Sequence, residues 1–481
     1  MNAQRIRQRG SGLALAILTA TLPAGGLASP AAAAAVPASE PVISTAGDRQ
    51  TIDVTVYNQD IGLVRELRTL RLPAGEFQLE FRDVPEQIQP TTLLVESEGR
   101  TALEILEQNY EYDLMSREKI LEKYVGREIA WIQEDGERIT GTLLGIAQGP
   151  VYRVGGEILF EVPGRMALPE LPRELRARPT LVWRSRTDRA GEARVEASYL
   201  TGGMSWSADY VLQLDPDGRE ADLQAWVSLD NRSGATYRDA RLLLVAGDVN
   251  RVRPPRALRA PQYAMEKALG EVADVVEEAL YDYHLYTLPG TTTLRDRQIK
   301  QVSLFEATGI AVQRHYRVQA QQHWFRGSGG DPHQPVRVVY SFENREQAGL
   351  GRALPAGIVR VYGASSSGSR QLLGEDRIRH TPLDETVELH VGSAFDVVAE
   401  RVQTDYRRVG DRVHRTSWEI TLRNHKDEDV TVEVREQVGG DWEVLSASHE
   451  HRKTSATELV FKVPVPADGE SRLAYTVQVT Y

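Results

Sequence analysis

Thr51-Ile52-Asp53-Val54-Thr55-Val56-Tyr57 opens the segment TIDVTVYNQDIGLVRELRTLRLPAGEFQLEF, residues 51–81, and its alternation decides the fold. Ile52, Val54 and Val56 fall on one side of an extended chain and Thr51, Asp53 and Thr55 on the other, the period of a half-buried strand. Asn58-Gln59-Asp60 then reads as a turn, and 63–72 as a second strand. Pro73-Ala74-Gly75 is another turn, because proline fixes one backbone angle and glycine frees the next. Leu79 and Phe81 alternate with Gln78 and Glu80 in a third strand. No apolar period of three or four residues interrupts this meander.

Outward from it, the chain keeps the same period with few exceptions. Ser116 is placed to cap a short helix ending near Tyr124. Short strands at 128–133, 140–146, 151–154 and 157–162, separated by Glu134-Asp135-Gly136, Gln148-Gly149-Pro150 and Gly155-Gly156, predict a small β-barrel inserted over 117–169. Long strands return at 180–185, 193–199, 207–214, 221–230 and 241–246. Met265, Leu269, Val272, Val276 and Leu280 recur at helical spacing and predict an amphipathic helix over 262–280. Residues 50–116 and 170–345 are thus expected to form one discontinuous large β domain. About seven strands over 346–481 predict an immunoglobulin-like sandwich at the C-terminus. The fold class expected is mainly β, a multi-domain β-sandwich architecture with an inserted small barrel and one or two short helices.

Composition narrows the function. The 481 residues carry a formal net charge of −11, and no basic run is dense enough to offset phosphate repulsion, which argues against nucleic acid. The absence of cysteine excludes thiol catalysis, disulfides and thiolate metal sites. Arg5, Arg7 and Arg9 precede a short apolar run, 13–22, and small residues follow. Residues 1–35 therefore read as a cleaved signal peptide and flexible lead-in. No later segment has the apolar length of a spanning helix, so no retained transmembrane helix is expected. The expected location is periplasmic or at the cell surface.

Several segments, taken in order, resemble the bacterial domain-of-unknown-function family 4139. They are Val54-Thr55-Val56-Tyr57-Asn58-Gln59, Gly203-Met204-Ser205-Trp206-Ser207-Ala208-Asp209-Tyr210 and Asn231-Arg232-Ser233-Gly234 leading to Ala246-Gly247-Asp248-Val249-Asn250. Tyr283-His284-Leu285-Tyr286, Lys300-Gln301-Val302 and Leu354-Pro355-Ala356-Gly357 before Val359-Arg360-Val361-Tyr362 continue the series. The chain is similar to the shorter form of a group related to mucoidy-inhibitor-like proteins, without their extra N-terminal domain and coiled coil. The resemblance implies export and a β-rich fold, and it carries over no catalytic residue.

Few side chains suggest chemistry. His449 and His451 share a strand face and are weak metal candidates, with no local third ligand. Ser205 lacks the glycine elbow and the triad order of a hydrolase nucleophile. Trp324 and Phe325, beside a glycine-rich stretch, and Tyr283 and Tyr286 are the candidate binding residues, because exposed aromatics stack on sugars or grip peptides. No cofactor is expected. The reading is an exported, non-enzymatic β-scaffold or binding protein of the bacterial envelope, with an envelope protein or polysaccharide as partner. The alternatives are an envelope polysaccharide or peptide hydrolase with an unrecognised site, and an outer-membrane-associated β protein.

Overall fold

Alternating burial makes sheets wherever the sequence alternates. On strand Arg49–Tyr57, Ile52, Val54 and Val56 are buried. Strand Ile61–Leu72 pairs antiparallel with it through the turn at 58–60. The computed structural model describes residues 40–99, 101–172, 175–247, 249–250, 276–320, 325–327, 332–365 and 368–481. The described residues are mainly β and hold one α-helix, Arg117–Tyr124. None of their helices is long and apolar enough to cross a membrane.

Three sheets build the central core, joined by Tyr340, Phe342, Val387 and Leu389 from a fourth. One runs Val42–Ser44, Gly75–Arg82, Thr180–Thr187, Glu104–Glu111. The second is built outward from Tyr237–Ala246, Arg49–Tyr57, Ile61–Leu72 and Gly191–Thr201. The third runs Gln298–Ala311, Glu220–Asn231, Met204–Leu214, Gly357–Ala364, Arg370–Ile378. Trp206 joins the third sheet to the second: its indole N–H donates to the Val245 carbonyl at 3.1 Å, and its ring meets Tyr286 edge-on. Trp206 and Tyr210 thus fill the core.

Two further sheets enclose a C-terminal core. Strand pairing here does not follow the sequence break at 346. Gln313–Gln319 pairs parallel with Val430–Gln437 and so belongs to the C-terminal sheets. Gly357–Ala364 pairs parallel with Met204–Leu214 and so belongs to the central ones.

The inserted segment differs from the expected barrel. It is an open sheet ordered Glu157–Leu159, Val151–Val154, Arg138–Gly145, Glu128–Ile132, Arg165–Ala167. Closure would need its two edge strands to pair, and each is only 3 residues long. Its small core, including Trp131, Tyr152, Leu121 and Tyr124, is covered by the helix that Ser116 caps by accepting from the Lys119 amide at 3.1 Å. The helix expected over 262–280 is also corrected. Residues 262–275 lie outside the described residues, and Val276–Leu280 is a strand paired with Tyr283–Thr287. The hairpin forms because Tyr281 takes a left-handed φ of 53°, which turns the chain back and satisfies its main-chain groups in a ladder.

The central and C-terminal cores each also bury an ion pair. Glu66 and Arg68 are both fully buried, 3.1 Å apart. Arg49 and the Tyr199 hydroxyl also bond Glu66, at 2.7 and 2.9 Å, and Arg68 lies 3.6 Å over the Phe81 ring. In the C-terminal core, fully buried Arg401 pairs with Glu436, donates to the Tyr475 hydroxyl at 3.3 Å and lies over Trp418. The same four parts recur: arginine, glutamate, tyrosine and an aromatic ring.

A second recurrence lies at strand ends. Asn231, Asn344 and Asn424 are buried, and each amide nitrogen donates to several backbone carbonyls. Asn231 reaches Ala235 and Arg295, both at 2.9 Å. Asn344 reaches Arg352 at 2.7 Å and Pro382 at 2.8 Å. Asn424 reaches Glu428 at 2.8 Å and Pro466 at 3.0 Å. Each stands where the chain leaves one sheet for another, a bend that breaks the ladder and frees carbonyls that the amide then satisfies.

Candidate functional site

The Asn231 corner is the place where three parts of the chain meet. Asn231 accepts from the Ser233 amide at 3.1 Å and from its hydroxyl at 2.8 Å. The Ser233 hydroxyl also bonds the Tyr237 hydroxyl at 2.9 Å. Segment 85–89 crosses this turn. The Gln87 amide donates to the Ser233 carbonyl, its side chain donates to the Arg232 carbonyl, and its carbonyl accepts from Gly202. Gly234 has φ +85°, and a Cβ there would stand 2.5 Å from Glu86 Cγ. Only glycine lets Glu86 lie across the turn at this distance.

Glu86 forms a ridge between two depressions. The larger is a cleft of about 560 Å³ whose charged lining is Arg49, Asp83, Glu86, Arg178, Arg238 and Asp239. The smaller, about 360 Å³, is lined by Asp230, Arg232, Asp296 and Arg297 with Glu86 and Gly234 again. Arg49 joins the cleft wall to the buried Glu66–Arg68 pair beneath. Asp83 and Arg178 form an ion pair at the mouth. The side chains of Glu86, Arg238 and Asp239 have no hydrogen bond or ion pair among the described residues. The cleft therefore offers both signs of charge to a polar ligand.

The hydroxyls buried near the cleft, of Tyr199, Ser233 and Tyr237, do not line it and are poorly suited to chemistry. Burial pushes the Tyr237 and Tyr199 hydroxyls far above the ordinary tyrosine range, and Glu66 adds to both. Neither ionises near neutrality. The Ser233 hydroxyl is held by Asn231 and Tyr237, and among the described residues it bonds no histidine or carboxylate. Burial pulls the Asp83 carboxyl up, but the Ala46 amide at 2.9 Å and the Arg178 guanidinium outweigh it and hold the group below its usual range. Asp83 therefore stays ionised rather than serving as an acid.

This shift has a measurable sign. A carboxyl with a depressed folded pKa contributes stability above its unfolded value of about 3.9, lost as pH falls through the folded value. Replacing Arg178 with Ala should move the Asp83 titration upward in carbon-detected NMR, narrowing that acid window. An unmoved titration would assign the shift to the Ala46 amide and the Arg68 charge.

The sequence candidates lie elsewhere. Trp324 is outside the described residues. Phe325 is fully buried, its ring centroid 6.1 Å from that of Trp418, and is spent on the C-terminal core. Tyr286 is buried against Trp206 and donates to the Ala353 carbonyl at 3.1 Å. Tyr283 is half-buried beside Gly247. His449 is half-buried and contacts the Ser448 hydroxyl, and His451 is exposed and contacts the Phe461 ring. Among the described residues, no cluster of three or more histidines or carboxylates is placed to hold a metal. None of the five described residues lines the cleft. The cleft residues escaped the sequence reading because they are single charges at strand ends, which look solvated. The one available signal was Asp83-Val84-Pro85 ending a strand, where Asp83 takes a φ of 64°.

The family described as Domain of unknown function (DUF4139) matches residues 195–481. That span contains the Asn231 corner, Arg238 and Asp239, while Arg49, Asp83, Glu86 and Arg178 precede it. No curated protein matches the chain.

Proposed function

Since the chain belongs to the DUF4139 family, a domain of unknown function, we propose its role from its own chemistry: an exported, non-enzymatic β-scaffold of the bacterial envelope that holds a polysaccharide in the Glu86 cleft. The observation that carries this reading is the unpaired set Glu86, Arg238 and Asp239 around a polar cleft. Charged and amide groups that lack protein partners supply the hydrogen bonds that a hydroxylated ligand needs. Arg5, Arg7 and Arg9 before the apolar run 13–22 support export.

Calorimetry of the secreted chain against fractionated envelope glycans tests the reading. A binding fraction is expected, with affinity reduced about tenfold in the double variant Glu86→Gln/Arg238→Ala, roughly what loss of one charged hydrogen bond gives. Binding that survives this variant unchanged would move the site off the cleft. Cell fractionation tests location, with recovery in the periplasm or at the surface expected.

A further inference from the structure

We propose that the free edge of the inserted sheet, strand Glu157–Leu159 with Phe160, docks an extended segment of another protein. The segment would alternate apolar residues with lysine or arginine. This surface uses no residue of the Glu86 cleft, so it stands or falls separately.

Hairpin geometry fixes which main-chain groups are free. Val154 pairs with Glu157, Ile158 with Arg153 and Leu159 with Tyr152. The turn between them is Gly155-Gly156, with φ +58° and +93°, a two-residue type I′ turn. In such a hairpin the residues flanking the turn exchange both hydrogen bonds, and the next pair exchanges none. The N–H and C=O of Ile158 therefore point away from the sheet. Among the described residues, no other strand pairs with this one, and no further backbone bond reaches Ile158 or Phe160.

The side chains match that open edge. Ile158 is 59% exposed and Phe160 72%. They alternate with Glu157, Leu159 and Glu161, so both lie on the side turned away from the insert's core. An edge with free main-chain groups and exposed apolar side chains is a template for an added strand.

Charge selects the occupant. In antiparallel pairing with a second copy, the register that sets Ile158 against Phe160 also sets Glu157 against Glu161, and like charges opposed on a sheet repel. Both glutamates are exposed and have no ion pair among the described residues. A basic-apolar alternating segment places its apolar residues beside Ile158 and Phe160 and its cations beside Glu157 and Glu161.

The test uses the secreted full chain and two labelled heptapeptides, Thr-Lys-Val-Lys-Val-Lys-Thr and its counterpart with Glu for Lys. At low salt the basic peptide should bind at least tenfold tighter by fluorescence anisotropy, and should slow exchange of the Ile158 amide. Ile158→Pro removes the outward N–H without touching a ladder bond and should weaken binding at least tenfold, with the Trp131–Tyr152 near-ultraviolet signal unchanged. Should that variant disturb the insert, the double variant Ile158→Lys/Phe160→Lys reads the same loss through charge. Equal binding of the two peptides, or binding indifferent to both variants, overturns the proposal. So does self-association of the wild-type chain that Ile158→Pro abolishes, because a second copy would then be the occupant.

Discussion

Glu436→Gln should lower the stability of the C-terminal core by about 3–5 kcal/mol, the scale of breaking a buried ion pair from one side. Arg401 and Glu436 are both fully buried. Without the carboxylate, the guanidinium keeps its charge, and the Tyr475 hydroxyl and the Trp418 face are among the partners it retains. Neither neutralises it, and burial among apolar side chains denies it water. Arg401→Met combined with Glu436→Leu should recover most of the loss, since apolar residues of similar volume replace a buried pair at little net cost. The exposed pair Arg423–Glu400, with each side chain 38% accessible, provides the contrast. Its removal should change stability by less than about 1 kcal/mol. Urea unfolding of the four proteins measures the difference. A Glu436→Gln protein as stable as wild type would show that the core relaxes and admits water to Arg401.

The second large effect is expected at the asparagine corners. Asn424→Ala strips donors from the Glu428 and Pro466 carbonyls and an acceptor from the Lys426 amide. At roughly 1 kcal/mol or more for each buried group left unsatisfied, the loss should reach about 2–4 kcal/mol. Asn424→Asp should be worse at neutral pH, because it points a carboxylate at carbonyl oxygens. Those oxygens favour the protonated acid, so the new carboxyl titrates higher in the folded state than the unfolded value of about 3.9. Its penalty is absent below that value and grows as pH rises toward the folded one. Urea midpoints from pH 4 to 7 should therefore fall for Asn424→Asp relative to Asn424→Ala. Asn231→Asp should behave alike and also disturb the Glu86 cleft, since Asn231 fixes Ser233 beneath it. Parallel curves for the Asp and Ala variants would mean that the amide does not serve those carbonyls.

How far the sequence could be read follows from the physics of each signal. Strands such as Arg49–Tyr57 and Gly469–Thr480 were legible because one face is buried and the other wet, which writes a period of two. The Ser116 helix was legible because its cap and ending are local. Pairing partners were not. Whether Gly357–Ala364 joins Met204–Leu214 or the strands that follow it depends on contacts far apart along the chain. The asparagine corners recur as Leu-Asp-Asn, Phe-Glu-Asn and Leu-Arg-Asn, a pattern too short to stand out before the bends are seen. The burial of Phe325 and Tyr286 was not legible for a related reason: an aromatic beside a turn gives no sign of which side of a sheet it faces.

The parallel pairing of Ala208–Gln213 with Gly357–Tyr362 also sets an order of events. Ribosomes release a chain from its amino end, so Met204–Leu214 emerges long before its neighbour exists. The middle of the protein must wait, with one flank of that strand uncovered, until the segment ending at Ile378 has followed. A loop of this length closes slowly. The interval is a window in which a chaperone has something to hold and a stalled or clipped chain has an open strand to aggregate through.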